Sequence, residues 1–136
     1  MTRSKIKDSG KRKQFKTGSQ RDTQEGKGTP RLLPWDALID LAKHFEEGCK
    51  KYGDRDWEKG QPLSQYLDSM VRHMEAVIMG KTDEPHLRAM VWNAVCWLTT
   101  KLRIDAGLLP KELDDLPYTY NRKNNVKKGG SKNGNR

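Results

Sequence analysis

The sequence has little that could span a bilayer, build a disulfide framework or cradle a nucleotide through a glycine-rich loop. No apolar run approaches the roughly 20 residues a membrane helix needs, and the polar, Lys-rich N-terminus is followed by no apolar stretch of signal-peptide type. A soluble, intracellular protein is therefore expected. Cysteine is limited to Cys49 and Cys96. Both stand in helix-like apolar stretches, without the close Cys or His spacing of a zinc site, and read as buried free thiols rather than nucleophiles. The patterns Gly-x4-Gly-Lys-Ser/Thr, Gly-x-Gly-x-x-Gly and Gly-x-Ser-x-Gly are absent, which removes P-loop, dinucleotide-fold and serine-hydrolase chemistry.

What is present is charge, unevenly placed. Residues 1–33 carry ten Lys/Arg against three Asp/Glu, residues 121–136 six against none, and residues 34–120 eleven against fifteen. The net +9 is thus a property of the tails, while the middle is acidic, as a site for divalent metal requires. The first 28 residues contain Phe15 as their only aromatic, too little apolar surface to offset the entropy of ordering, so 1–28 reads as a flexible basic segment. Residues 121–136 read as a disordered basic tail and 29–120 as the folded domain.

Three segments of that domain have helical periodicity. After Pro34, Trp35, Leu38, Ile39, Ala42, Phe45, Cys49 and Tyr52 recur at three- and four-residue steps, and Gly53 supplies a stop. A polar loop, 54–62, holds Trp57. The second helix runs from near Pro62 or Ser64 to Gly80, and the third follows Pro85 to before Gly107, with Leu87, Met90, Val91, Ala94, Val95, Leu98 and Leu102 as its expected inward stripe. No alternating stretch is long enough to argue for a strand. The expected fold is all-α, an antiparallel helical bundle whose modest core is completed by self-association.

Polar residues on these helices mark the chemistry. Glu46 borders the apolar face of the first helix, with Glu47 further round; a solvated Glu46–Lys50 pair is the plain alternative. On the second helix Asp68 and Arg72 are four apart and His73 shares a stripe with Ser69 and Ala76. The third opens with Asp83-Glu84-Pro85-His86, where the acids could serve simply as caps favoured by the helix dipole. Asn93, inside the apolar run Met-Val-Trp-Asn-Ala-Val-Cys-Trp-Leu, needs partners for a buried amide. Lys50, Lys51 and Arg72 supply cations suited to phosphate, and Tyr52 and Trp57 could stack on a base or lid the core.

The series Ser19-x-Arg21-Asp22, Gly26-Lys27, Leu33-Pro34, Gly48-Cys49-Lys50-Lys51-Tyr52-Gly53, Asp56-Trp57-x-x-Gly60, Arg72-His73, Gly80, Asp83-Glu84, His86 and Trp92-Asn93 resembles the phage dATP/dGTP diphosphohydrolase family, the MazZ type among MazG-like enzymes. The resemblance implies a MazG-like all-α fold, a homo-oligomer (dimer or tetramer), and hydrolysis of a deoxypurine nucleoside triphosphate to monophosphate and pyrophosphate with Mg²⁺ or Mn²⁺, two or three ions per site. It also implies a role in the host-cell cytoplasm, where dGMP feeds synthesis of the 2-aminoadenine nucleotide. Glu46, Asp83 and His73 become the candidate catalytic groups. Glu46, Glu47, Asp68, Asp83 and His86 are the candidate metal ligands, and Lys50, Lys51, Tyr52, Trp57, Arg72, Asn93, Arg21 and Lys27 the candidate substrate contacts. The classical MazG-like Glu-Glu-x-x-Glu is broken here by Lys50, and Lys81 follows Gly80 where the family often has Glu. A rival reading makes the chain a nucleic-acid-associated helical accessory protein that holds phosphate backbones through its basic tails, and a third makes it a nucleotide sensor without hydrolysis.

Overall fold

A computed structural model describes residues 5–120, and the basic tail at 121–136 lies outside them. The described residues divide into two units, one up to Trp35 and one from Asp36 onward.

The first unit contains a feature the sequence pattern did not announce. Strands β1 (Arg12–Gln14) and β2 (Gln20–Asp22) pair antiparallel, with Arg12 opposite Asp22 and Gln14 opposite Gln20. Three residues per strand are too few to display alternation, and five of the six are exposed. Turn and charge hold the hairpin in place of an apolar face. The Phe15 amide donates to the Ser19 carbonyl at 2.9 Å, while Asp22 receives Lys27 Nζ at 3.0 Å and Arg12 at 3.8 Å. A short 3₁₀ turn at Pro30–Leu32 follows.

The second unit is helical: α1 (Trp35–Tyr52), α2 (Leu63–Ile78) and α3 (His86–Asp105), with 3₁₀ turns at Asp56–Lys59 and Lys111–Leu113. The all-α expectation holds there, and the helix ends have identifiable causes, local or distant. Gly53, in the left-handed region at φ +91°, receives α1, its amide bonded to the Cys49 carbonyl at 2.9 Å. The start of α2 is capped from 51 residues away: Asp115 accepts the Ser64 amide at 2.9 Å and its hydroxyl at 2.6 Å. Gly60 matters for a different reason. Its φ of +108° favours glycine, and a Cβ there would lie 2.7 Å from Leu113 Cδ1, so the missing side chain lets the residues after α3 pack closely on the turn before α2.

Pairings run antiparallel between α2 and α3, from His73 beside His86 to Tyr66 beside Trp92. The core is Leu63, Tyr66, Cys96 and Ile104, with Phe45, Trp57, Trp92, Trp97, Leu109, Leu113 and Leu116 packed on it. Trp57, expected in a loop, sits on the Asp56–Lys59 turn with its ring 5.8 Å from Phe45.

The inward face of α3 differs from the expected one. Buried are His86, Ala89, Asn93, Cys96, Thr100 and Ile104, whereas Leu87, Leu98 and Leu102 are 59%, 61% and 60% exposed. Two helical stripes compete in this sequence, and the narrower one wins because small residues let α2 approach. Its polar members are satisfied within their own helix: Asn93 Nδ2 donates to the Ala89 carbonyl at 2.9 Å and Thr100 Oγ1 to the Cys96 carbonyl at 2.7 Å. Leu63 is fully buried at the centre. Leu63→Ala is expected to destabilise the fold by about 2–5 kcal/mol in urea unfolding, and Leu98→Ala, on the outer face, by well under half of that in the same protomer.

Candidate active site

Three helix segments converge where α2 ends and α3 begins. His73 is on the inner side of α2, and the Lys81–Pro85 loop returns the chain so that His86, in the first turn of α3, meets it. Nδ1 of His73 lies 2.9 Å from Nδ1 of His86, and Nε2 of His86 lies 2.8 Å from Oδ1 of Asp83. With Asp83 as acceptor, His86 carries its proton on Nε2 and presents the lone pair of Nδ1 toward His73. Asp83 therefore fixes both the tautomer and the ring angle of His86. The same hydrogen bond, with a second from the backbone, holds the Asp83 carboxyl below the usual carboxylate range.

Glu84 completes the group. Its Oε2 is 3.9 Å from His86 Nδ1, and His73, Glu84 and His86 each offer one donor atom within 4.8 Å of the others. Two imidazoles and one carboxylate, with a second carboxylate behind one of the imidazoles, are a group that could hold a metal ion and orient its ligands. Mixed nitrogen and oxygen donors suit Mn²⁺ better than Mg²⁺, which takes oxygen.

Beside this cluster lies a cleft of about 550 Å³ between α1 and α3. His73 and Glu84 line it from one side, Lys50, Lys51, Tyr52, Glu47 and His44 from α1, and Trp92 from α3. Cations, carboxylates and aromatic rings thus share one concave surface, the mixture needed to hold a phosphate chain and a base. A larger cavity of about 830 Å³ opens on the other side of Tyr52 and Trp92, lined by Glu46, Cys49, Asp54, Arg55, Trp57 and Gln61 among others.

The residues singled out in the sequence are distributed unequally. His73, Lys50, Lys51, Tyr52 and Glu47 reach the cleft, and Asp83 and His86 stand behind it. Glu47 is held there by Arg88, Nη2 to Oε1 at 2.9 Å. Glu46 and Trp57 line the larger cavity instead. Asp68 and Arg72 are exposed on α2, and Asn93 spends its amide on its own helix. Arg21 and Lys27 belong to the first unit, where Lys27 pairs with Asp22. Sequence reasoning missed Glu84 as a donor, and it missed His44, Arg88 and Trp92. The one available signal was spacing: Asp40, His44 and Glu47 form a single i, i+4, i+7 stripe on α1, and a stripe of two acids about a histidine suits a cationic partner.

Neither thiol competes for the chemistry. Burial pushes Cys96 up to about 12, and the hydrogen bond to Asp54 raises Cys49.

A family model described as dATP/dGTP diphosphohydrolase, N-terminal, matches residues 17–107, more than half of the chain. Neither a curated protein nor a solved structure matches.

Electrostatics of His44 and His73 make one outcome calculable in sign. Burial, then the charge of Arg88, holds His44 below the ordinary imidazole range; burial, then His86, does the same to His73. The unfolded chain protonates these rings near pH 6.5 while the folded one resists, so the unfolded state binds more protons and stability falls as pH drops. Asp83, also depressed, adds a loss of the same sign at lower pH. Thermal melts followed by circular dichroism should be level above about pH 7 and decline toward pH 5, with the upper part of the decline flattened in a His44→Gln/His73→Gln double variant.

Proposed function

Because the chain belongs to the dATP/dGTP diphosphohydrolase, N-terminal family, and is thereby a nucleotide pyrophosphohydrolase, we propose that it cleaves dGTP and dATP to the monophosphate and pyrophosphate in the cleft between α1 and α3. The observation that carries this placement is the meeting of Lys50 and Lys51 with His73 and Glu84 on one surface. Lysine ammonium groups take phosphate oxygens, and the Tyr52 and Trp92 rings flank the space a base would occupy. Asp83 holds His86 in register, and His86 in turn orients His73. His73, Glu84 and His86 would hold a divalent cation, Mn²⁺ or Mg²⁺, with further ions carried on the phosphates. Such a cation would supply charge neutralisation on the phosphates and a water of lowered pKa. No covalent intermediate is required, which agrees with two thiols raised above their ordinary range.

In biological terms the reading places the protein in the cytoplasm of a phage-infected host, where dGMP supplies the 2-aminoadenine nucleotide. Among the described residues no helix is long and apolar enough to cross a membrane.

Purified protein incubated with each deoxynucleoside triphosphate and Mn²⁺ should release monophosphate and pyrophosphate on chromatography, and chelation should stop the reaction. Diphosphate plus phosphate would contradict the cleavage position. Asp83→Asn should lower turnover by roughly 10–100-fold, the scale of losing an orienting carboxylate behind a metal-binding His, with helical circular dichroism retained. Glu46→Gln tests whether the larger cavity contributes; a loss as large as that of Asp83→Asn would move the reaction there.

The oligomer is proposed on the outer faces of α2 and α3. Val71, Met74 and Ile78 on one, with Leu87, Val91, Leu98 and Leu102 on the other, are exposed apolar side chains that a second copy would cover as a four-helix bundle. Light scattering coupled to size exclusion should report a dimer or tetramer for the native chain and a monomer for Leu98→Glu.

A further inference from the structure

Arg88 reaches α1 at three residues of one stripe. Its Nη1 lies 3.6 Å from Asp40 Oδ1, its Nε 3.3 Å from His44 Nδ1 and its Nη2 2.9 Å from Glu47 Oε1. The Arg88 side chain is only 13% exposed, and it stands behind His44 and Glu47, which line the cleft, while itself facing a neighbouring hollow with Asp40, Asp83 and His86. Among the described residues these are the only ion pairs that join α1 to α3.

A consequence for His44 follows from donor counting. Guanidinium has donors alone, so the nitrogen facing it must accept and must be bare. The single ring proton of His44 is then on Nε2. That nitrogen has no hydrogen-bond partner among the described residues, and the ring that carries it lines the cleft, set against Trp92 with centroids 5.6 Å apart. His44, Glu47 and Lys51 lie on one face of α1, so the N–H shares its surface with the lysine ammonium groups. Doubly protonated imidazole is disfavoured here by burial first and then by the adjoining guanidinium.

We propose that His44 is a substrate-binding residue, a neutral Nε2–H donor to an oxygen of the nucleotide's phosphate chain, and that Arg88 is the positioning residue that fixes it in this tautomer. The ligand class rests on the function proposed above; the tautomer does not. A donor without charge adds direction to the charge that Lys50 and Lys51 already provide. Because the bond is made to a phosphate chain already seated, it acts on binding more than on turnover.

The test has two arms. In ring ¹H–¹⁵N correlation spectra of the full-length labelled protein without nucleotide, His44 should carry its proton on Nε2, and Arg88→Met should abolish that preference. For binding, calorimetry with α,β-methylene dGTP and Mn²⁺ should show His44→Phe, which keeps the ring against Trp92, weakened about 10–100-fold, while His44→Gln, whose amide N–H falls near the place of Nε2, stays within a few-fold. KM for dGTP should follow the same order with kcat little changed. His44 protonated on Nδ1, or His44→Phe binding as tightly as wild type, overturns the proposal. Wild-type protein that neither binds the analogue nor cleaves dGTP overturns the functional reading instead, and leaves the spectrum to decide the tautomer.

Discussion

The close approach of α2 to α3 is the constraint from which the rest follows. It depends on α3 turning Ala89, Asn93, Cys96 and Thr100 inward, small side chains whose polar atoms are bonded back to their own helix or held out of water without strong charge. Large leucines on that side would have kept the helices apart. With them outside, His86 can stand opposite His73 at hydrogen-bond distance. The polar cluster is thus a product of the packing.

That arrangement explains why the acids of the first helix and those of the Lys81–Pro85 loop have different fates. Asp83 and Glu84 are delivered by a short loop whose geometry is set by the α2–α3 contact, and both reach the histidines. Glu47 arrives from across the cleft and is met by Arg88, which joins α1 to α3. Glu46, one residue earlier, is rotated by about 100° and belongs to another cavity. Lys50, the departure from the usual acid pattern, faces the same cleft as His73, where under the proposed function a cation would serve a phosphate better than a third carboxylate.

Much of the fold was legible because helix ends have local causes. Gly53, Gly80 and Gly107 stop the three helices where the sequence placed the stops. The hairpin at residues 12–22 was not legible, since a polar three-residue strand has no alternation to read. The face of α3 was misjudged for a different reason: hydrophobicity names Leu87, Leu98 and Leu102 as inward, and only tertiary approach distance selects the smaller stripe. Within the site, residue types were readable and partners were not. Asn93 signalled a buried amide, yet its partner was one turn away in its own helix. His44 and Arg88, 44 residues apart, could not be joined without the helix crossing.

The central claim is that nucleotide and cation meet in the cleft between α1 and α3, not in the larger cavity beyond Trp92. Crystals grown with Mn²⁺ and a non-hydrolysable dGTP analogue, with data collected at the manganese edge, test it directly. The account predicts an anomalous peak within ligating distance of His73, Glu84 and His86, with the triphosphate on Lys50 and Lys51. A peak among Glu46, Asp54 and Glu58, with no density at the histidines, would contradict it.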